Sequence, residues 1–169
     1  MDSSLALVYL SILIVILGTI AVLVVRQVIN SRKLESVISD LQPKLQKEKG
    51  APTEYYELGS VYLRKKLYAK AIGEFNKAIK EGGDNLPEVY NALGYAYFAQ
   101  EQYDLSIRHY KEAIALQPSY VTALNNLGHA YEKKTLIPQA IEMYEQAYKI
   151  DSKNDIARRR LESLRKRVA

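Results

Sequence analysis

The sequence contains no cysteine in 169 residues. That excludes disulfides, thiolate nucleophiles and cysteine-ligated zinc or iron–sulfur centres. Histidine is scarce: only His109 and His129 are present, and neither has a second histidine at i+4 to complete a helical metal pair. The phosphate-cradling G-x-x-x-x-G-K-[ST], the dinucleotide-binding G-x-G-x-x-G and the nucleophile elbow G-x-S-x-G are all absent. The expectation is a protein that is not an enzyme, with no catalytic residue, no metal and no cofactor.

Charge is missing from residues 5–25, LALVYLSILIVILGTIAVLVV. As a helix this run reaches roughly 31 Å, enough for a hydrocarbon core of about 30 Å. A cleaved signal peptide would need a basic start, a shorter apolar run and a small-residue cleavage site. Met1-Asp2-Ser3-Ser4 has no Lys or Arg, the run is longer, and no good cleavage site follows. Residues 5–25 are therefore expected to span a lipid bilayer. Arg26, Arg32 and Lys33 follow closely, so the positive-inside rule puts the remainder on the cytoplasmic side or its topological equivalent. Gly18 is the only glycine in the span, so no GxxxG packing motif argues for a dimer.

The net charge of +5 is uneven. Residues 51–152 carry 11 Lys/Arg against 13 Asp/Glu, whereas residues 153–169 carry 7 against 2. Basic character thus belongs to the ends of the chain. Residues 26–50 place Leu34, Val37, Ile38, Leu41 and Leu45 at helical spacing, which predicts an amphipathic stalk. Pro43 is expected to kink or end that helix.

The body, residues 51–152, repeats three times. YYELGSVYLRKKLYAKAIGEFNKAI from Tyr55, YNALGYAYFAQEQYDLSIRHYKEAI from Tyr90 and LNNLGHAYEKKTLIPQAIEMYEQAY from Leu124 align, with bounds of about 52–86, 87–120 and 121–154. Gly59, Gly94 and Gly128 fall mid-helix, where glycine costs about 1 kcal/mol relative to alanine, so their recurrence predicts close helix–helix approach. Tyr62, Tyr97 and Tyr131 are expected to fill the space above them. Ala71, Ser106 and Ala140 give the second helix of each unit a small contact position, and Phe75, Tyr110 and Tyr144 its large one. The extra residue between the first two repeats falls in the turn around Gly82-Gly83-Asp84, and Pro138 is expected in the first turn of a helix. Residues 153–169 form a basic capping helix, with Ala157, Leu161, Leu164 and Val168 as one apolar stripe.

This pattern resembles the tetratricopeptide repeat (TPR), of which three copies suffice for a stable stack. The departures are Leu124 for a bulky aromatic, Ser106 for alanine and Ser152 for a closing proline. The resemblance implies an all-α fold, a right-handed superhelix of three repeats whose first helices line a concave groove. Carried over residue by residue, the groove would present Tyr56, Ser60, Leu63 and Arg64, then Asn91, Tyr95 and Phe98, then Asn125, Asn126, His129, Glu132 and Lys133. The capping helix would add Arg159, Arg160 and Ser163. Asparagines suit an extended peptide, since an amide both donates and accepts, and buried aromatics anchor interfaces. Chaperone-docking TPR domains use a lysine and arginine clamp; the matching positions here are Tyr56, Ser60, Ala92, Thr122 and Asn126, so that clamp is absent. By repeat register His109 faces outward into solvent. The stretch NNLGHAYEKK at 125–134 divides into scaffold residues and groove residues, with His129 a contact whose charge makes binding pH-sensitive.

VRQV at the end of the span, LQPKLQKEKG in the stalk and ESLRKR near the end extend the likeness beyond the repeat. With these the chain resembles the single-span thylakoid TPR proteins of photosystem I assembly in cyanobacteria and plastids. That implies protein clients, namely photosystem I subunits or assembly intermediates and other assembly factors, held on the cytoplasmic or stromal side. The alternative is a generic membrane-tethered TPR adaptor in protein translocation or envelope complex assembly. No nucleic acid and no small-molecule substrate is expected, because the aromatics serve the repeats. The basic last helix is a solvated cap, a contact for anionic lipid or a contact for an acidic partner.

Overall fold

The computed structural model describes residues 3–168, which are helical with short connections. The helices are α1 (Ser3–Lys47), α2 (Pro52–Arg64), α3 (Tyr68–Ala78), α4 (Pro87–Ala99), α5 (Tyr103–Leu116), α6 (Val121–Lys133), α7 (Ile137–Ile150) and α8 (Asp155–Val168). The chain divides into two units, one ending at Pro43 and one beginning at Lys44.

The first unit is most of α1. Its apolar side chains stand exposed, Leu7, Tyr9 and Val15 by about two thirds. Among the described residues α1 is the one helix long and apolar enough to cross a membrane, with a mean hydropathy of 2.9 in its most apolar stretch. Ser11 Oγ donates to the Val8 carbonyl and Thr19 Oγ1 to the Val15 carbonyl, each at 2.8 Å, so the few hydroxyls in the apolar run are satisfied by their own helix. Pro43 does not end α1: the helix runs one turn further, to Lys47. A proline removes one ladder bond, and Lys44 and Lys47 place positive charge at the negative end of the dipole.

In the second unit each helix packs on the next in chain order, from α2 to α8. Local signals set the ends. Pro52 and Pro87 stand at the first position of α2 and α4, and Pro138 in the first turn of α7, where the missing N–H costs nothing. Glu54 Oε2 accepts from the Ala51 N–H at 2.9 Å, and Asn154 Oδ1 caps α8 by accepting from the Ala157 N–H at 2.8 Å. Between the two helices of each repeat the chain turns through a left-handed residue that is not glycine: Lys66, Glu101 and Thr135, with φ of 59°, 60° and 58°. Each turn is held by the same pair of bonds, in the third repeat Thr135 N–H to the Glu132 carbonyl and Leu136 N–H to the Tyr131 carbonyl, both 2.9 Å. The connection between the first two repeats is longer. A wide turn over Ile79–Gly83 includes Gly82 at φ +103°, a conformation that suits glycine alone.

The core is a column of glycine–aromatic contacts. A Cβ added to Gly59 would lie 2.6 Å from the Phe75 ring, one on Gly94 2.5 Å from Tyr110, and one on Gly128 2.9 Å from Tyr144. The space at each glycine is thus filled by an aromatic of the second helix, not by Tyr62, Tyr97 or Tyr131 of its own helix. Those three tyrosines meet other groups: Lys70 Nζ is 5.5 Å from the Tyr62 ring centre, Tyr97 stacks on His109, and Lys111 Nζ is 5.9 Å from the Tyr131 ring centre. Ala71, Ser106 and Ala140 are wholly buried. Ala157, Leu161 and Leu164 of α8 close the column onto Tyr144 and Ala147.

His109 departs from expectation. Its ring is buried, stacked at 7° and 5.3 Å on Tyr97 and at 28° and 6.3 Å on Tyr90. Outward register does not leave it in solvent, because these two tyrosines fold over it. Burial, reinforced by the neighbouring Arg108, lowers its pKa to about 4. The unfolded chain binds this proton near pH 6.5 and the folded chain only near 4, so stability is lost as pH falls through that window. The loss amounts to about 2–3 kcal/mol. His109→Phe keeps the stacking and removes the proton site; its unfolding free energy should fall less between pH 6.5 and 4 than that of the wild type in parallel urea titrations.

Candidate functional site: the concave groove

α2, α4 and α6 crowd one side of the array, α4 touching both of the others. This is the concave side. The residues expected there fall into three groups.

The first group forms a cleft of about 300 Å³ lined by Tyr68, Tyr95, Phe98, Ala99, Tyr110, Asn126 and His129. Tyr95 is 47% exposed, the most open aromatic of the repeats. Phe98 and His129 are in ring contact at 4.8 Å, tilted 43°, and Tyr103 meets the other side of Phe98 edge-on at 5.4 Å. Burial, and then the approach of Arg160, lowers the pKa of His129, with Glu132 opposing. The imidazole is therefore neutral at neutral pH and offers one donor and one acceptor.

The second group is occupied with itself. Asn126 Nδ2 donates to Asn91 Oδ1 at 2.9 Å, joining α6 to α4. Tyr56 rests on Phe75 at 5.9 Å. Asn125 is only 8% exposed, and little of it is open to the groove. Ser60 is half-buried, and Arg64 is exposed.

The third group is charged and lies at the far end. Glu132 Oε1 accepts from the Tyr144 hydroxyl at 2.6 Å, and its other oxygen lies 3.6 Å from Arg160 Nη1. Burial, and then this bond to a carboxylate, pushes the Tyr144 hydroxyl up. Lys133 is exposed beside Glu132. Arg159 sits about 100° around α8 from Arg160, opposite the buried stripe, and so faces away from this rim. The structure thus brings Tyr95, Phe98, Asn126 and His129 together and sets Glu132, Lys133 and Arg160 beside them. Tyr56, Ser60 and Arg64 stand on α2, and Arg159 lies apart.

Two groove residues lay outside the expected set. Tyr68 is the first residue of α3 and lines the cleft. Tyr120 precedes α6 and is half-buried, and its hydroxyl, raised in pKa by that burial, meets Asn91. Both sit at helix ends, where no periodicity marks them. No cluster of three or more His, Asp or Glu that could hold a metal occurs among the described residues.

Comparison with known proteins agrees with this architecture. Tetratricopeptide-repeat family profiles match residues 55–81 and 121–154, and a TPR repeat profile matches 94–134. The chloroplastic tetratricopeptide repeat domain-containing protein PYG7 of Arabidopsis thaliana is 40% identical over 99% of this chain, which spans 56% of that relative's length. The ycf37 protein of Cyanophora paradoxa is 37% identical over 88% of this chain and 87% of its own. Among solved structures, MamA superposes with a TM-score of 0.76 at 23% identity, covering 81% of this chain and 80% of its own. The first TPR of Spaghetti (RPAP3), bound to the HSP90 peptide SRMEEVD, superposes with a TM-score of 0.67 at 21% identity, covering 72% of this chain and 95% of its own. These structures share the all-helical TPR fold. The chain belongs to the tetratricopeptide-repeat proteins and, within them, to the ycf37 family.

Proposed function

We propose that this protein is a membrane-anchored scaffold that holds protein clients in its concave groove and assists the assembly or stability of photosystem I. Residues 5–25 are the bilayer anchor, 26–50 the stalk, 51–152 the client-binding repeats and 153–169 the cap. The observation that carries this reading is the exposed Tyr95 at a cleft of about 300 Å³, in a chain that also has an apolar helix of membrane-spanning length. A groove with an open aromatic, an adaptable imidazole and paired amides is built to grip side chains and backbone of an extended segment. The photosystem I assignment rests on the likeness of stalk and tail segments to thylakoid TPR proteins, and a chloroplastic relative supports a plastid or cyanobacterial thylakoid setting. The cations after the span support a cytoplasmic or stromal body.

The test is a pull-down with the tagged full chain from detergent-solubilised membranes of a photosynthetic cell. Wild type should recover photosystem I subunits, and Tyr95→Ala with His129→Ala should recover at least tenfold less. Equal recovery would move the client surface off the groove. Absence of photosystem I subunits from both would sink the assembly role.

A further inference from the structure

The groove is not uniform along its length, and the gradient constrains its occupant. Its middle is aromatic: Tyr95 and Phe98 from α4 and His129 from α6 surround the cleft. His129 is neutral at neutral pH, so this cleft offers no charge to a ligand. One turn further along α6 stands Glu132, with its side chain only 11% exposed and engaged by the Tyr144 hydroxyl and by Arg160. Its negative charge is therefore turned into the protein. The Arg160 side chain, in contrast, is 47% exposed. Lys133, next to Glu132 in the chain, is exposed and makes no ion pair with the described residues, and neither does Arg167, seven residues on from Arg160 and on the same face of α8. The rim after the aromatic cleft is cationic on balance.

The spacing follows from helix geometry. Positions three apart on a helix have Cβ atoms about 5–6 Å apart, and the Arg160 guanidinium lies 3.6 Å from the Glu132 carboxylate. The cationic rim thus lies within roughly 10 Å of the cleft. In an extended chain, side chains two residues apart point the same way and lie about 6.6–7 Å apart.

We infer that the groove recognises an extended segment of a partner protein that carries a large apolar side chain and, two residues from it, an acidic one. The apolar side chain enters the cleft between Tyr95, Phe98 and His129. The carboxylate meets Arg160, with Lys133 and Arg167 adding to the field. Glu132 orients Arg160 and does not touch the ligand. This specificity rests on the groove being the client surface, and it names what that surface selects.

Random 12-residue peptides displayed on phage are selected on the full chain in detergent micelles, and winners are measured by fluorescence polarisation. The expected winners carry Phe, Tyr, Leu, Ile or Met two positions from Asp or Glu, in either order. Changing the acidic residue of a winner to Lys should weaken binding at least tenfold to wild type. Arg160→Glu should reverse that preference and bind the Lys peptide more tightly than the acidic one. A merely structural role for Arg160 would instead weaken both peptides alike, and that result overturns the inference. So do winners that share an apolar residue but no acidic one, which leaves the groove itself in place as the client surface. Winners insensitive to Tyr95→Ala would overturn both.

Discussion

Tyr110→Ala is expected to lower the unfolding free energy by about 3–5 kcal/mol, the range for removing a buried aromatic from a close-packed core. Tyr110 is 1% exposed and stands between two repeats: it covers Gly94 of its own repeat and belongs to the same buried cluster as Leu124 and Leu127 of the next. Its ring lies within 2.5 Å of where a Cβ on Gly94 would be, so once the ring is removed the glycine has no side chain to fill the void. The same contact predicts the reciprocal effect. Gly94→Ala forces the ring out of place and should cost about 1–3 kcal/mol. In a Tyr110→Ala background that penalty should vanish, and the double mutant should be no less stable than Tyr110→Ala alone. Urea titrations of the four proteins, followed by circular dichroism, check this. Additive penalties would mean that ring and glycine do not share one space.

Removing α8 by ending the chain after Asp151 should cost about 4–6 kcal/mol, counting two leucines at about 2–3 kcal/mol each. Leu161 and Leu164 are buried against the third repeat together with Ala157. Arg165 pairs with Glu145 at 2.7 Å and Arg160 with Glu132 at 3.6 Å, so two links to α7 and α6 go as well. Because each element of a solenoid touches only its neighbours, the loss should be local. Amide hydrogen exchange should speed up in α6 and α7 while α2 and α3 keep their protection. The newly bared face of α7 should make the truncated protein self-associate. Uniform acceleration across all repeats would contradict a graded stack and indicate a single cooperative unit.

The repeat was legible because its signals are periodic. Glycines, small residues and aromatics recur at one register, and they lie where the helices meet. What the sequence hid was which helix supplies a contact. Tyr62, Tyr97 and Tyr131 sit one turn from the glycines along the chain, so local spacing favoured them. The rings that fill those spaces come from Phe75, Tyr110 and Tyr144, 16 residues on and on the partner helix. His109 shows the same limit. Register gives the direction a side chain leaves its helix, not whether Tyr90 and Tyr97 are long enough to cover it. Pro43 leaves a kink or an end open on local propensity, and of the two the end does not occur: the final turn of α1 is intact to Lys47. In the groove, the expectation of Tyr95, Phe98 and His129 came from the likeness to TPR arrays. The engagement of Glu132 by Tyr144 and Arg160, and the arrival of Tyr68 and Tyr120 from helix ends, depend on contacts that no single repeat encodes.

The amide pair between Asn91 and Asn126 is a cross-tie between repeats. It ties two neighbouring first helices on the concave side, where opening the superhelix would stretch the array most. Parting these two helices would break the tie and free one donor and one acceptor, the two groups that an extended backbone satisfies. The resting spacing of α4 and α6 thus includes one side-chain bond, and an extended main chain, which carries both an N–H and a C=O, has the groups to replace it.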